Sequence, residues 1–398
     1  MNKRIPTTWL GVLAISTLLP AHGASVRGSV GVDTTLYSDE PLYQNQSSRD
    51  VLGSGYADLS LAAESESGDR YDLSLFSRIS PDRQHKVTGD IRQASVWIST
   101  DLADYKFGVL KQTWGMLEAW SPVDIINQRD MAEDFQGKVK LGQPGAVAAF
   151  KLDDSVLSLY GTTYARERRF GEGRDRLRIL PAPITDEHYE RGRWAPDFAA
   201  RYQFRLGDSI DIAVSQFKGH NREPVLQALA DRNGVYAFTA DYQTIEQTGL
   251  EAQYVYGDSI FKSEVIYQDG AEDSFFGGGV GAETNFATWL GGMGDLTLYA
   301  EFYHDDRSDQ APITPFQRDI FTGARYSLND LNGYMLELRN THDLEWQSNL
   351  IDLRASRRMF NDGVLSISLI KAANAKKDPA LQGFRNDSYF KIGYAWYY

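Results

Sequence analysis

From Val26 onward the chain alternates apolar and polar residues with a period of two, and that alternation decides most of what it can fold into. Val26, Gly28, Val30, Val32, Thr34 and Leu36 interleave with Arg27, Ser29, Gly31, Asp33 and Thr35. A strand sends successive side chains to opposite faces, whereas a helix would scatter both sets around its axis. The pattern returns along the chain. Phe198, Ala200, Tyr202 and Phe204 alternate with Ala199, Arg201, Gln203 and Arg205, and Leu296, Leu298, Ala300 and Phe302 alternate with Thr297, Tyr299, Glu301 and Tyr303. No window approaches the roughly 18 uncharged apolar residues that a membrane-spanning helix requires.

The joints between these segments carry a second period. Tight polar turns stand at Glu66-Ser67-Gly68-Asp69, Asp153-Asp154-Ser155, Gly207-Asp208-Ser209, Gly257-Asp258-Ser259, Gly292-Met293-Gly294-Asp295, Asn329-Asp330-Leu331-Asn332 and Asn361-Asp362-Gly363. These residue types tolerate hairpin geometry. The joints between them, such as 38–53, 113–136, 166–196, 219–239 and 373–387, are longer and mostly richer in charge. Short turns on one rim and long loops on the other are the asymmetry of an outer-membrane barrel. The expected fold is therefore all-β: a closed antiparallel transmembrane β-barrel of about 18 strands, with about 16 as the alternative count. The segments around Ser95–Ser99 and 282–290 have the weakest patterns. A barrel of this size leaves an aqueous lumen unless something fills it.

The last segment reinforces the reading. Phe390, Ile392, Tyr394, Trp396 and Tyr398 share one face and the chain ends on a ring, resembling the signal that barrel-assembly machinery recognises. At the other end Lys3 and Arg4 precede an apolar run from Thr8 to Leu19 and small residues at Ala21 and Gly23. That order reads as a secretory signal over 1–23, leaving a barrel over 24–398 in the bacterial outer membrane. The formal net charge is −13, with no basic stripe, which argues against a nucleic-acid binder. Cysteine is absent from the sequence, and a barrel closed by its own hydrogen bonds needs no such staple.

Two stretches resemble a broad group of porin-like outer-membrane barrels, related at a distance to alginate-export channels. One runs from Gly108-Val109-Leu110-Lys111-Gln112-Thr113-Trp114-Gly115 to Pro122-Val123-Asp124-Ile125-Ile126-Asn127-Gln128-Arg129-Asp130. The other runs from Thr248-Gly249-Leu250-Glu251 through Gly257-Asp258 to Lys262-Ser263-Glu264. The resemblance implies a fold and a membrane but no particular solute.

Parity assigns ionisable residues to the interior, because an Arg or Lys facing lipid at mid-depth costs roughly 2–4 kcal/mol. The candidate pore lining is Arg27, Arg78, Arg201, Arg205, Lys262, Glu264, Glu301, Arg325, Glu337, Arg339, Asp352, Arg354 and Lys391, with Asp58, Asp72, Asp211 and Glu251 on the same face. These residues form either a selective charged eyelet or ion-paired filler bracing the wall. Segment 113–136, with Trp114, Trp120, Pro122, Asp124, Arg129 and Asp130, is too apolar for a free loop and is expected to fold inward as a constriction. The arginine run from Arg166 to Arg178 reads as a basic outer loop for lipopolysaccharide phosphates or anion steering, or as a loop held by its own ion pairs.

The function expected is passive diffusion of small polar or anionic solutes, with no catalytic residues, cofactor or metal. The partners expected are outer-membrane lipid and lipopolysaccharide, the assembly machinery acting on the strand ending at Tyr398, and a small solute. Two alternatives stand beside it. One is a rim hydrolase built on His304-Asp305-Asp306 and His342-Asp343, and the other is a closed scaffold or export-partner barrel. An energised receptor would need a plug domain ahead of the first strand, and here that strand follows the signal at once.

Overall fold

A computed structural model describes residues 22–398 apart from 233, 271 and 272. The expected signal segment therefore lies almost wholly outside the described residues. Strands β1 to β7 span His22–Tyr37, Val51–Glu64, Arg70–Ile79, Val87–Ser99, Ala103–Leu110, Gln143–Leu152 and Ser155–Thr162. Strands β8 to β14 span Ile184–Tyr189, Asp197–Leu206, Ile210–His220, Val225–Asp231, Gly234–Tyr242, Thr244–Tyr256 and Ser259–Asp269. Strands β15 to β21 span Ser274–Thr288, Gly294–Asp305, Arg318–Leu328, Met335–Asp343, Asn349–Met359, Gly363–Ala373 and Tyr389–Tyr397.

Eighteen of these form one antiparallel sheet that closes on itself. β1 pairs with β2 through Val30↔Ala57 and with β21 through Val30↔Trp396. Closure removes the free edges that a bilayer could not hydrate. The two segments with the weakest sequence patterns are strands β4 and β15, so the larger count holds. No helix among the described residues is long and apolar enough to cross a membrane.

Burial follows the period of two. Along β1, Val26, Val30 and Val32 are 55%, 49% and 61% exposed, while Ser29 and Asp33 are buried. In β21, Ile392 and Trp396 face outward and Ala395 is buried within. The outside is thus the apolar face, the inverse of a soluble protein. On the turn rim Gly207 and Gly257 adopt φ of 60° and 57°, the left-handed conformation that short hairpins require and glycine supplies at little cost.

Three strands were not expected. Within the long joints, β12 pairs antiparallel with β11 and parallel with β8, making a small separate sheet on the loop rim. Tyr189 and Tyr242 stack in its core at 4.7 Å beside buried Ala165 and Ala240.

Candidate functional site

Residues 111–142, which join β5 to β6, run inside the barrel, and the wall is shaped to receive them. Hydrophobic burial seats the segment first. Trp114, Val123, Ile125 and Ile126 share a buried cluster with wall residues Tyr160, Phe217, Ile245, Ile266 and Phe275. The Trp114 ring meets Tyr160 edge-on at 5.2 Å, and its indole N–H donates to the tyrosine hydroxyl at 3.3 Å. Leu117 joins a second cluster with Tyr299, Tyr303 and Phe321. Room for this comes from missing side chains. A Cβ on Gly279 would lie 2.8 Å from Leu117, and one on Gly249 would lie 3.1 Å from Val123.

Three wall carboxylates then hold the backbone of the segment. Glu251 accepts the amide of Gly115 at 3.1 Å. Glu264 accepts the amides of Met116 and Leu117 at 2.5 and 2.8 Å and the Ser121 hydroxyl at 2.7 Å. Glu301 accepts the amides of Glu118 and Ala119 at 2.7 and 3.0 Å. Buried amides must find acceptors, and ionised acceptors make bonds of roughly 1.5–3 kcal/mol each. Gly115 has φ of 90°, and a side chain there would meet Ser121 and Glu264.

The rest of the segment reaches the opposite wall. Asn127 pins its two stems, donating to the carbonyls of Leu110 and Leu141 at 2.8 Å each. Asp124 pairs with Lys140 at 2.5 Å and Arg129 at 3.4 Å, and the Arg129 guanidinium lies 4.0 Å from the Trp120 ring centroid. Asp130 binds Arg92 of β4 and Glu133 binds Arg78 of β3. Gln136 donates to Asp352 of β19 at 3.2 Å. Fastened to β3, β4, β13, β14, β16 and β19, the segment crosses the lumen from wall to wall.

Trp114, Trp120, Pro122, Asp124, Arg129 and Asp130 are thus all carried inside the wall. The two stretches singled out in the sequence meet there: Trp114-Gly115 and Val123 lie against Gly249, Glu251 and Glu264. The residues assigned inward by parity divide into three groups. Arg78, Arg201, Glu264 and Glu301 brace the segment, Arg201 by pairing with Glu251 at 2.8 Å. Arg325, Glu337, Arg339, Asp352 and Arg354 form a ladder on β17 to β19, with Arg325–Glu337 at 2.7 Å, Arg354–Asp352 at 2.8 Å and Arg339 against Asp352. Lys262 pairs with Glu283, Lys391 lies 3.6 Å from Asp33, Arg205 pairs with Asp211, and Arg27 lines the turn-side cavity.

Two cavities flank the segment. One of about 640 Å³ opens among the long loops, and one of about 620 Å³ lies toward the turns. Among the described residues they share no lining residue. Lys138 stands open to the loop-side cavity, yet the surrounding wall keeps bulk water from it. Desolvation, then the guanidinium groups of Arg339 and Arg354, push its ammonium down to about 8. At the same mouth burial alone would raise Glu223, but Arg307 and Arg168 hold its carboxyl below the ordinary glutamate range.

The arginine run is not a basic outer surface. Arg176 pairs with Asp387 in a fully buried contact at 2.8 Å, Arg178 lies over Tyr43, and Arg166 and Arg169 bind Asp90. The run locks loops together through partners remote in sequence and, among the described residues, not through ion pairs of its own. The rim histidines do not assemble a catalytic group. His304 points outward while its neighbour Asp305 turns inward to Arg307, and Asp343 caps the amides of Glu345 and Trp346. A histidine–aspartate contact does form at His220 and Asp197, at 2.7 Å, but Arg222 shares that carboxylate and the group is buried.

A closed 18-stranded barrel with an apolar outside and a segment folded across its lumen is the architecture of porin-like outer-membrane proteins. Solved structures agree. Pseudomonas aeruginosa OccK2 (OpdF), in complex with glucuronate, is similar with a TM-score of 0.53 and 9% identity over 94% of this chain and 97% of that one. Pseudomonas aeruginosa OpdQ is similar with a TM-score of 0.52 and 9% identity over 94% and 96%. Wzi, an outer-membrane carbohydrate-binding β-barrel involved in group 1 capsule assembly in Escherichia coli, reaches a TM-score of 0.54 and 12% identity over 94% and 84%. At such identities the likeness is one of fold. It does not specifically reproduce the relation to alginate-export channels; what is shared is the porin-like 18-stranded barrel. No protein-family model matches the chain, and no curated protein matches it in sequence.

Proposed function

We propose that the chain is a passive channel of the bacterial outer membrane, exported by the signal over 1–23, with its long loops outside and both termini periplasmic. Its cargo is small polar or anionic solutes, and segment 113–136 sets the width and chemistry of the path. The assembly machinery would read the strand ending at Tyr398, and outer-membrane lipid and lipopolysaccharide would surround the wall. The observation that supports this most is the segment fixed to opposing walls inside a closed barrel, which narrows the lumen without an edge or a moving domain. Purified protein in planar bilayers is expected to give discrete conductance steps, and excision of 116–121 is expected to enlarge them.

A second reading, a closed scaffold or export-partner barrel, draws on the two cavities having no lining residue in common. It expects a silent bilayer with the intact chain, steps only after excision, and a copurifying periplasmic protein.

A further inference from the structure

The loop-side cavity has the wrong lining for a mouth that meets only water and polar solutes. Phe170, Phe238, Ile313, Phe316, Leu381 and Trp120 are all partly or largely exposed at its face, Ile313 by 51%. They come from five different joints, so no single loop accounts for them. Trp120, Phe316 and Leu381 sit at the edges of apolar clusters whose centres are buried, as Phe135 and Phe384 are, while Phe170, Phe238 and Ile313 stand outside those clusters. Part of the charge at this mouth is paired, Glu223 with Arg307 and Arg168, and Asp352 with Arg339 and Arg354, while Lys138, Asp319 and Asp378 line it as well. The turn-side cavity, nearly equal in size, has no aromatic residue in its lining among the described residues. A concave space of several hundred cubic ångströms, mainly apolar with a few fixed polar groups, is what a small-molecule site looks like.

We infer that the loop-side cavity is a binding site for a small solute with an uncharged apolar body, such as a fused or single ring bearing one small polar group. The inference rests on the channel reading and adds to its small polar or anionic cargo a ring-bearing solute, captured first at this cavity. A saccharide of the same size fits less well, since its hydroxyls need a dense set of donors and acceptors that Phe170, Phe238 and Ile313 do not supply.

The test uses the full chain in detergent with 1-naphthol and glucose as probes, followed by saturation-transfer NMR. Ile313→Ser, on an exposed loop, is the reference that subtracts uptake by the micelle, and Phe238→Ser is a second variant. Heat-modifiable gel mobility confirms that each barrel is folded. Naphthol is expected to bind the parent chain at least fivefold more tightly than either variant, with glucose showing no such difference. Equal naphthol binding by parent and both variants, or glucose binding as tight as naphthol, overturns the inference. Bilayer conductance is recorded on the same preparation. Steps without naphthol binding sink the inference and leave the channel standing, whereas binding without steps sustains the site and sinks the channel.

Discussion

The two cavities on either side of the inward segment are nearly equal in volume and opposite in character. The turn-side one is walled by strand residues such as Arg27, Ser60, Arg70 and Asp72, which alternation alone directs inward. The loop-side one is walled largely by side chains from seven joints, which no periodicity positions. A barrel wall therefore sets the chemistry of one end by a rule of two, while the other end is free to be built for a ligand. The segment between them decides whether the ends communicate.

The largest expected effect comes from releasing that segment. Glu264→Ala with Glu301→Ala leaves four backbone amides without acceptors, at roughly 1.5–3 kcal/mol each. Single-channel conductance is expected to rise and its noise to broaden; unchanged conductance would mean that the segment does not limit flow. Gly115→Ala acts on the same point, since its left-handed backbone costs a side chain about 1–2 kcal/mol and its Cβ would displace Ser121 and the Glu264 carboxylate. It should open the channel partway, read as a conductance between those of the parent and the double variant.

Lys138 sharpens the comparison through charge. Its amine is protonated below pH 8 and loses that charge as pH rises through about 8. Anion preference, read from reversal potentials, should fall across that interval, and Lys138→Gln should reduce that fall. The smallest effect belongs to the turn side. Lys111→Gln removes an exposed cation from a wide polar space, where screening is strong, so reversal potential should move only slightly and conductance should stay the same.

The wall was legible because burial is reversed but still periodic: Val30 out and Asp33 in follow from spacing alone. All 18 barrel strands could be placed from alternation and turn chemistry. The segment's inward course was legible too, since Trp114 and Trp120 make poor residues for a free loop. What it binds was not. Glu264 and Met116 lie 148 positions apart, and no local pattern marks a carboxylate as the acceptor of a distant amide. Parity put Glu264 and Glu301 inside but suggested ion pairs as their partners. The β11–β12 hairpin had one local signal, the Asn233-Gly234 dipeptide, obscured by alanine-rich flanks without clean alternation. β8 had none, because its parallel partner β12 lies across the intervening β9, β10 and β11 in sequence. The arginine run from Arg166 to Arg178 gave its charge but not its direction, which Asp387, Asp90 and Glu223 set from remote parts of the chain.

The account stands on segment 113–136 and its stem lying inside a closed wall, and a cysteine-free chain permits a direct test. Lys138→Cys and Val280→Cys, the latter 54% exposed on the apolar outer face, are each treated with a charged thiol reagent during a bilayer recording. Stepwise loss of current for Lys138→Cys, with no change for Val280→Cys, is the predicted result. Current that survives complete modification at 138, or falls on modification at 280, would contradict it.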